Sequence, residues 1–367
     1  YLVKYLLQTD RANDYVLFFE SEVPPEIAAL ARRRGRVELR RWRFSAYKRF
    51  LPYVYSHILI ADQIKQAELD VFHSPANVVP LRLLRTKVRP KIVATGHDLA
   101  IYRHPEWFPP GQGFSVKYLV PKTIKFVDRI IVPSQATKND LMELFRVPGD
   151  RITVIPHGVE ERFFTPSSAP PYPGGEKRGG KYILFVGTIE PRKNLVRLVQ
   201  AYASLPQGIL AEYDLVIAGQ KGWRYNEIFL EISNLKLEIR DKIKVLGYYP
   251  GDNLPELMKG ASVFCYPSLY EGFGLPVLEA MAAGVPVVAG DTTSLRELVE
   301  VPGPGGVPAG LLVDPYSAEA LGQTINKCIR DAAFSGQISQ AGIRRARLFT
   351  WEKAAAETLQ VYRQLGP

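Results

Sequence analysis

Short runs of apolar residues alternate along this chain with longer stretches in which apolar positions return at helical spacing. In the first half the runs are Asp14–Phe19, Asp70–His73, Lys91–Thr95, Arg129–Pro133 and Arg151–Pro156. A second set follows: Tyr182–Gly187, Leu215–Gly219, Ile243–Gly247, Ser262–Tyr266 and Val285–Ala289. Strands that are apolar on both faces and separated by helices predict parallel sheets with crossover helices, an α/β fold. Tyr1–Leu7 reads as a helix already under way. Between the two sets, Thr165–Gly175 is too rich in Pro, Ser and Gly for a core element and reads as a linker or surface loop. The predicted organisation is a first α/β domain over 1–165, a linker over 166–180, a second such domain over 181–350 and a terminal helix over 351–367.

Composition narrows this little further. A length of 367 residues suits two domains, and 46% hydrophobic with 23% charged residues is ordinary for a globular protein. No apolar stretch is long enough to cross a bilayer. Cys265 and Cys328 are isolated; neither suggests a disulfide scaffold or a zinc site, and a reducing compartment is the easier reading. The chain starts at Tyr1 rather than Met, so the missing signal peptide says little about the intact protein.

The net charge of +10 is uneven, since residues 1–160 carry 25 Lys+Arg against 16 Asp+Glu. It is densest at Arg32, Arg33, Arg34, Arg36, Arg40, Arg41 and Arg43, close to Trp42, Phe44, Tyr47, Phe50 and Tyr53. Basic residues interleaved with aromatics suit an anionic membrane face, nucleic acid or a solvated basic helix. No recognised nucleic-acid module accompanies the patch, so no nucleic-acid partner is expected.

Three segments carry candidate chemistry. Glu271-Gly272-Phe273-Gly274-Leu275-Pro276-Val277-Leu278-Glu279 sets two acids around a glycine-bearing loop, with a helix predicted from about Pro276 to Ala283. Gly272 and Gly274 permit close backbone approach, and the first turn of the helix has free N–H groups suited to a phosphate. Glu271 can accept hydrogen bonds from sugar hydroxyls and Glu279 can grip a ribose diol. The same pattern also fits an ordinary βαβ unit with a capping acid and a solvated one. Gly187-Thr188-Ile189-Glu190-Pro191-Arg192-Lys193-Asn194-Leu195 follows a strand and opens a helix, placing Lys193 and Arg192 where a departing diphosphate would need preset cations. Thr95-Gly96-His97-Asp98-Leu99 also follows a strand; His97 is either a sugar ligand or a buried structural histidine. Asp98 caps the next turn in the simpler reading. His57, His73, His104 and His157 have no ligand-like spacing and read as structural, and no Asp-x-Asp pair suggests a metal bound to a diphosphate.

The acidic segment, with Tyr266-Pro267-Ser268-Leu269-Tyr270 before it and Glu279-Ala280-Met281-Ala282-Ala283-Gly284-Val285-Pro286-Val287-Val288 after, resembles the signature of retaining glycosyltransferases of family four (glycosyl transferases group 1). The resemblance extends over nearly the whole chain. It implies the GT-B architecture, two Rossmann-like domains facing a central cleft, with the last helix crossing back to the first domain. It implies transfer of a hexose from a nucleoside-diphosphate sugar to a hydroxyl acceptor, with retention and without a metal or other cofactor. The acceptor would be a sugar or a lipid-linked molecule, in polysaccharide, glycolipid or glycoconjugate synthesis. On this reading Glu271 orients the hexose, Lys193 and Arg192 neutralise the diphosphate, Glu279 holds the ribose and His97 lines the sugar pocket. Gly272, Phe273, Gly274, Leu275, Thr188 and Tyr248 complete the donor site. Gly219-Gln220-Lys221-Gly222-Trp223 resembles a cleft loop of these enzymes, and Ser134 faces the cleft by topology.

Many members have Arg directly after the glycine where this chain has Thr188, which leaves open whether Arg192 replaces that charge. The Glu-Pro-Arg-Lys-Asn version tilts the donor toward GDP-mannose over a UDP- or ADP-sugar. Members also open with a strand and glycine-rich loop ahead of the first helix, and neither is present here, so a chain without them is expected to be impaired. The expected setting is cytoplasmic, peripheral at the inner membrane face. The alternatives are a sugar-nucleotide epimerase, a dehydrogenase (disfavoured by the lack of a Gly-x-Gly-x-x-Gly turn after a strand) or a non-catalytic sugar-nucleotide-binding scaffold.

Overall fold

The computed structural model describes residues 1–42, 60–84, 89–109, 112–165, 181–300 and 306–366. The linker reading at 166–180 lies outside these residues, as do Arg43, Phe44, Tyr47, Phe50, Tyr53 and His57. The chain divides into two compact units. One is Tyr1–Tyr102 with Gly111–Gly158 and Trp351–Pro367; the other is Arg103–Pro110 with Val159–Thr350. Residues 159–165 group with the second unit, not the first, because Val159 and Phe163 are buried in the second unit's core. Segment 103–110 does so because Trp223 Nε1 donates to Trp107 O (2.6 Å) and Arg224 donates to Glu106 O (2.6 Å).

In the first unit, a parallel pair joins β1 (Tyr15–Phe19) to β2 (Val37–Arg41), and β3 (Val71–Ser74), β4 (Lys91–Thr95), β5 (Arg129–Val132) and β6 (Ile152–Val154) follow in order in a parallel sheet. The sequence leads into this unit through the helix Leu2–Thr9. The terminal helix Trp351–Arg363 completes it: Trp351, Ala354 and Val361 share a core with Val93, Ile131 and Ile155, and Ala355 and Leu359 pack on Leu6.

Among the described residues, the basic stretch is a solvated helix only in part. Its first part is the helix Pro25–Arg34, opened by Pro25 and closed by Gly35 at φ 71°, but the rest is β2. Arg34 is buried, donating to Asn13 O (2.6 Å) with Asp10 3.6 Å away. Arg36 binds Asp14 (2.5 Å) and Arg40 binds Glu38 (2.6 Å). Trp42 stacks on Phe18 at 4.4 Å. Arg32, Arg33 and Arg41 remain exposed.

The second unit holds β7 (Tyr182–Val186), β8 (Asp214–Ala218), β9 (Ile243–Gly247), β10 (Val263–Tyr266), β11 (Val287–Gly290) and β12 (Leu311–Val313). They form one parallel sheet in the order β12-β11-β10-β7-β8-β9. Tyr182, Ile183, Leu184, Phe185 and all of β8 are buried, as a sheet covered by helices on both faces requires. The chain builds outward from β7 to β9, then returns to the other side of β7 to start again at β10. That reversal makes a crevice at the carboxyl ends of β7 and β10, the place where such sheets hold ligands.

Candidate active site

Both chemistry-bearing segments of the second unit emerge at this reversal. Residues 187–194 leave β7 and residues 267–274 leave β10. They are tied together by backbone and side chain: Leu269 N–H donates to Arg192 O (2.8 Å), and Asn194 Nδ2 donates to Pro267 O (3.1 Å) and Pro315 O (2.5 Å). Asn194 manages this from the left-handed region, at φ 58°, after the turn Pro191–Lys193.

At the centre, Lys193 Nζ donates to Glu271 Oε1 (2.5 Å) and to the phenol oxygen of Tyr266 (2.6 Å). All three side chains are buried. Arg192 bonds Glu190 and sets its other arm 3.6 Å from Glu271 Oε2. Burial alone would raise the Glu271 pKa, but the charges of Lys193 and Arg192 outweigh it and hold the group below the ordinary carboxylate range. Burial lowers the Lys193 pKa, against the pull of Glu271. The backbone of Glu271 is anchored too, its carbonyl accepting from Ser294 Oγ (2.6 Å).

The helix expected from Pro276 runs from Leu275 to Ala282, with Pro276 in its first turn. Gly274 precedes it at φ 101°, and a Cβ there would lie 2.4 Å from Leu295 Cδ2, so both conformation and space demand glycine. Phe273 points into the core, edge-on to Phe349 at 6.1 Å, and Leu275 packs against the same core. Their side chains are therefore structural, which leaves backbone groups as the donor contacts they can offer. Gly219, at the end of β8, approaches Gly187 so closely that a Cβ would stand 1.8 Å from Gly187 O.

Glu279 sits one turn into this helix, partly exposed. Its pKa is pushed up to about 8, chiefly by burial and then by the nearby Glu160, with Arg162 opposing. Arg162 is itself bound to Glu160 (2.6 Å). Thr188 is exposed beside Gly222, and Tyr248 stands exposed beyond β9, just after Gly247 at φ 69°.

His97 belongs to the first unit, at the carboxyl end of β4. It is exposed rather than buried; its Nε2–H donates to Pro75 O (3.0 Å) and its backbone N–H to Asn77 Oδ1 (3.1 Å). His73, read from the sequence as structural, lies partly buried between Tyr362 OH (2.5 Å) and Thr95 Oγ1 (2.8 Å), and desolvation lowers its pKa to about 4. His157 packs between His97 and Trp351. Asp98 caps the following turn through Ala100 N–H (3.1 Å), and Ser134, buried, caps the helix Gln135–Phe145 through Thr137 N–H (3.1 Å).

Sequence reasoning missed Tyr266, Glu190 and Asn194 as parts of this cluster. The signal for Tyr266 was a polar atom in an otherwise apolar buried strand; for the other two it was their place in the segment already singled out. It also missed the segment 103–110, whose His104 stacks on Trp107 at 3.9 Å and meets Tyr270 edge-on at 6.3 Å. Among the described residues no cluster of His, Cys, Asp and Glu is arranged to hold a metal ion, and no helix is long and apolar enough to cross a membrane.

A buried cation and carboxylate thus stand at the reversal of a parallel sheet, in a chain built from two α/β units. The family profile for glycosyl transferases group 1 matches residues 173–345 and that for Glycosyltransferase Family 4 matches residues 2–163. The O-antigen chain mannosyltransferase B of Escherichia coli is 33% identical over 298 residues, covering 80% of this chain and 74% of that protein. The D-inositol 3-phosphate glycosyltransferase of Salinispora arenicola is 28% identical, covering 64% of this chain and 54% of its own length. Among solved structures, the sucrose-phosphate synthase from Thermosynechococcus elongatus superposes with a TM-score of 0.77 at 22% identity, covering 99% of this chain and 91% of that one. Anabaena Alr3699/HepE in complex with UDP and glucose gives 0.74 at 21% identity, covering 99% and 95%. The chain belongs to glycosyltransferase family 4.

Proposed function

We propose that this protein moves a hexose, mannose in first place, from a nucleoside-diphosphate sugar to an acceptor hydroxyl, retaining the anomeric configuration. The observation that carries this reading is the buried Lys193–Glu271 pair at the reversal between β7 and β10, with Arg192 beside it. A bare βαβ unit has no use for such a pair, since a buried ion pair rarely adds net stability. Mannose, and with it GDP-mannose, is favoured because the E. coli relatives O-antigen chain mannosyltransferase B and serotype-specific mannosyltransferase WbdA carry that activity in their names.

In this reading the bond from the anomeric carbon to the diphosphate oxygen breaks while the acceptor oxygen bonds to the same face of that carbon. The acceptor's proton passes to the departing phosphate oxygen, so no protein base is required. Lys193 and Arg192 meet the charge that grows on the leaving group and make a metal unnecessary. Glu271 orients hexose hydroxyls, Glu279 holds the ribose diol, His97 lines the sugar pocket and Tyr248 lies by the base. Backbone N–H groups at Gly272–Leu275 face the diphosphate, with Thr188 alongside. The two buried thiols suit work in a reducing cytoplasm, and the exposed Arg32, Arg33 and Arg41 suit a peripheral contact with an anionic inner membrane face carrying a lipid-linked acceptor.

The test is a thermal-shift screen against GDP-, UDP- and ADP-sugars, followed by transfer assays with the donor that binds. Stabilisation by GDP-mannose and mannose transfer to a saccharide acceptor are expected. Binding of none of these donors would refute the reading, as would an isomerised sugar formed without acceptor.

A further inference from the structure

The ammonium of Lys193 has three N–H bonds, and two are already committed: one to Glu271 Oε1 (2.5 Å) and one to the Tyr266 phenol oxygen (2.6 Å). Tyr266 is 1% exposed, and its ring is held between neighbours, stacked at 5.6 Å on Phe185 and at 5.9 Å on Phe264. Such a ring cannot swing away, so its oxygen is a fixed point. Glu271 is different, because it stands in a loop and is the group expected to turn to a hexose. A lysine held only by that carboxylate would lose its anchor at the moment it is needed. Close by, the side chain of Ser268 is fully buried beside Glu271 and Tyr266.

We propose that Tyr266 is a positioning residue for Lys193: its phenol oxygen fixes the ammonium so that an N–H meets an oxygen of the bound nucleoside diphosphate. This rests on the donor site described above and names the side chain that preorganises it. The strand position explains how. β10 is the central partner of β7, so Tyr266 at its carboxyl end lies directly beneath the segment that carries Lys193. A flexible four-carbon stem becomes a directed cation only when its end is tethered.

The experiment is calorimetric titration of the whole chain with GDP, UDP and ADP. The wild type is expected to bind one of them. Tyr266→Phe keeps the stacked ring and removes only the oxygen; it is expected to weaken that nucleotide about tenfold, the effect of losing one hydrogen bond to a charged group. In a Lys193→Ala background the same change should cause no further loss, because Tyr266 acts through the lysine. Tyr266→Leu removes the ring as well and should lower the melting temperature without weakening the nucleotide beyond Tyr266→Phe. Unchanged affinity in Tyr266→Phe would overturn the inference alone. So would losses that add in the Lys193→Ala background, or a much larger loss for Tyr266→Leu, which would assign the effect to packing. If the wild type binds none of the three nucleotides, the donor site itself is refuted and the inference falls with it.

Discussion

Lys193 and Glu271 lie 78 positions apart in the chain and meet in a buried ion pair 2.5 Å long. The two groups proposed for the two ends of a donor, the diphosphate and the hexose, are hydrogen-bonded to each other. Each keeps the other charged in a place where either alone would be costly.

Removing one member should therefore do two things at once. Glu271→Ala is expected to abolish transfer and to destabilise the fold by about 3–5 kcal/mol, since it leaves Lys193 buried and unpaired. The double replacement Lys193→Met with Glu271→Leu should recover most of that stability and none of the activity. Denaturant melts and a transfer assay separate the two effects; near-normal turnover in Glu271→Ala would remove the residue from its role.

Glu279 gives a dependence on pH whose sign can be worked out. Its carboxyl titrates near 4.5 when unfolded and at about 8 in the fold. Between those values the native state holds a proton that the unfolded chain has released, so stability falls as pH rises from about 4.5 toward 8. Glu279→Gln removes this loss. Its melting temperature should exceed that of the wild type by more at pH 8 than at pH 5, and donor affinity is expected to drop on the proposed reading of Glu279 as the ribose ligand. Parallel shifts at both pH values would contradict the assignment.

Gly219 tests the close approach of β7 and β8. Gly219→Ala would place a methyl 1.8 Å from the carbonyl of Gly187, with φ at 159°. The sheet must move apart to accept it, at the point where the Lys193 segment begins. We expect a loss on the order of 3 kcal/mol or more, well above the roughly 1 kcal/mol of an ordinary substitution. A urea midpoint within error of the wild type would show that this crossing is loose.

Trp223→Phe tests the segment 103–110. The indole N–H donates to Trp107 O, and the ring packs 5.5 Å from Phe108. Phenylalanine keeps much of the packing and loses the donor, so about 1 kcal/mol should be lost. Limited proteolysis should then cut faster within 103–110 than elsewhere; uniform cutting would argue that other contacts hold the segment.

Much of this was legible because it is written locally. Apolar runs on both faces of β4, β5, β7, β8 and β10 announced a parallel sheet, and Gly274-Leu275-Pro276 announced the start of a helix within one residue. β2 was not legible, since Val37-Glu38-Leu39-Arg40-Arg41 is an edge strand whose charged residues hide its pairing with β1. β12, three residues long, left too little pattern to read.

Lys193, Arg192 and Glu271 could be singled out from the chain alone, because turn glycines, a proline and charged side chains in fixed order constrain backbone and chemistry together. Their partners could not. Whether Arg34 meets water or Asp10, that His97 is exposed, and that Tyr266 rather than solvent receives the Lys193 ammonium were settled only by folding. Those contacts join positions dozens to hundreds of residues apart, and their energies depend on the burial that packing creates. Local sequence sets which groups are available; the tertiary fold sets their dielectric surroundings and their neighbours.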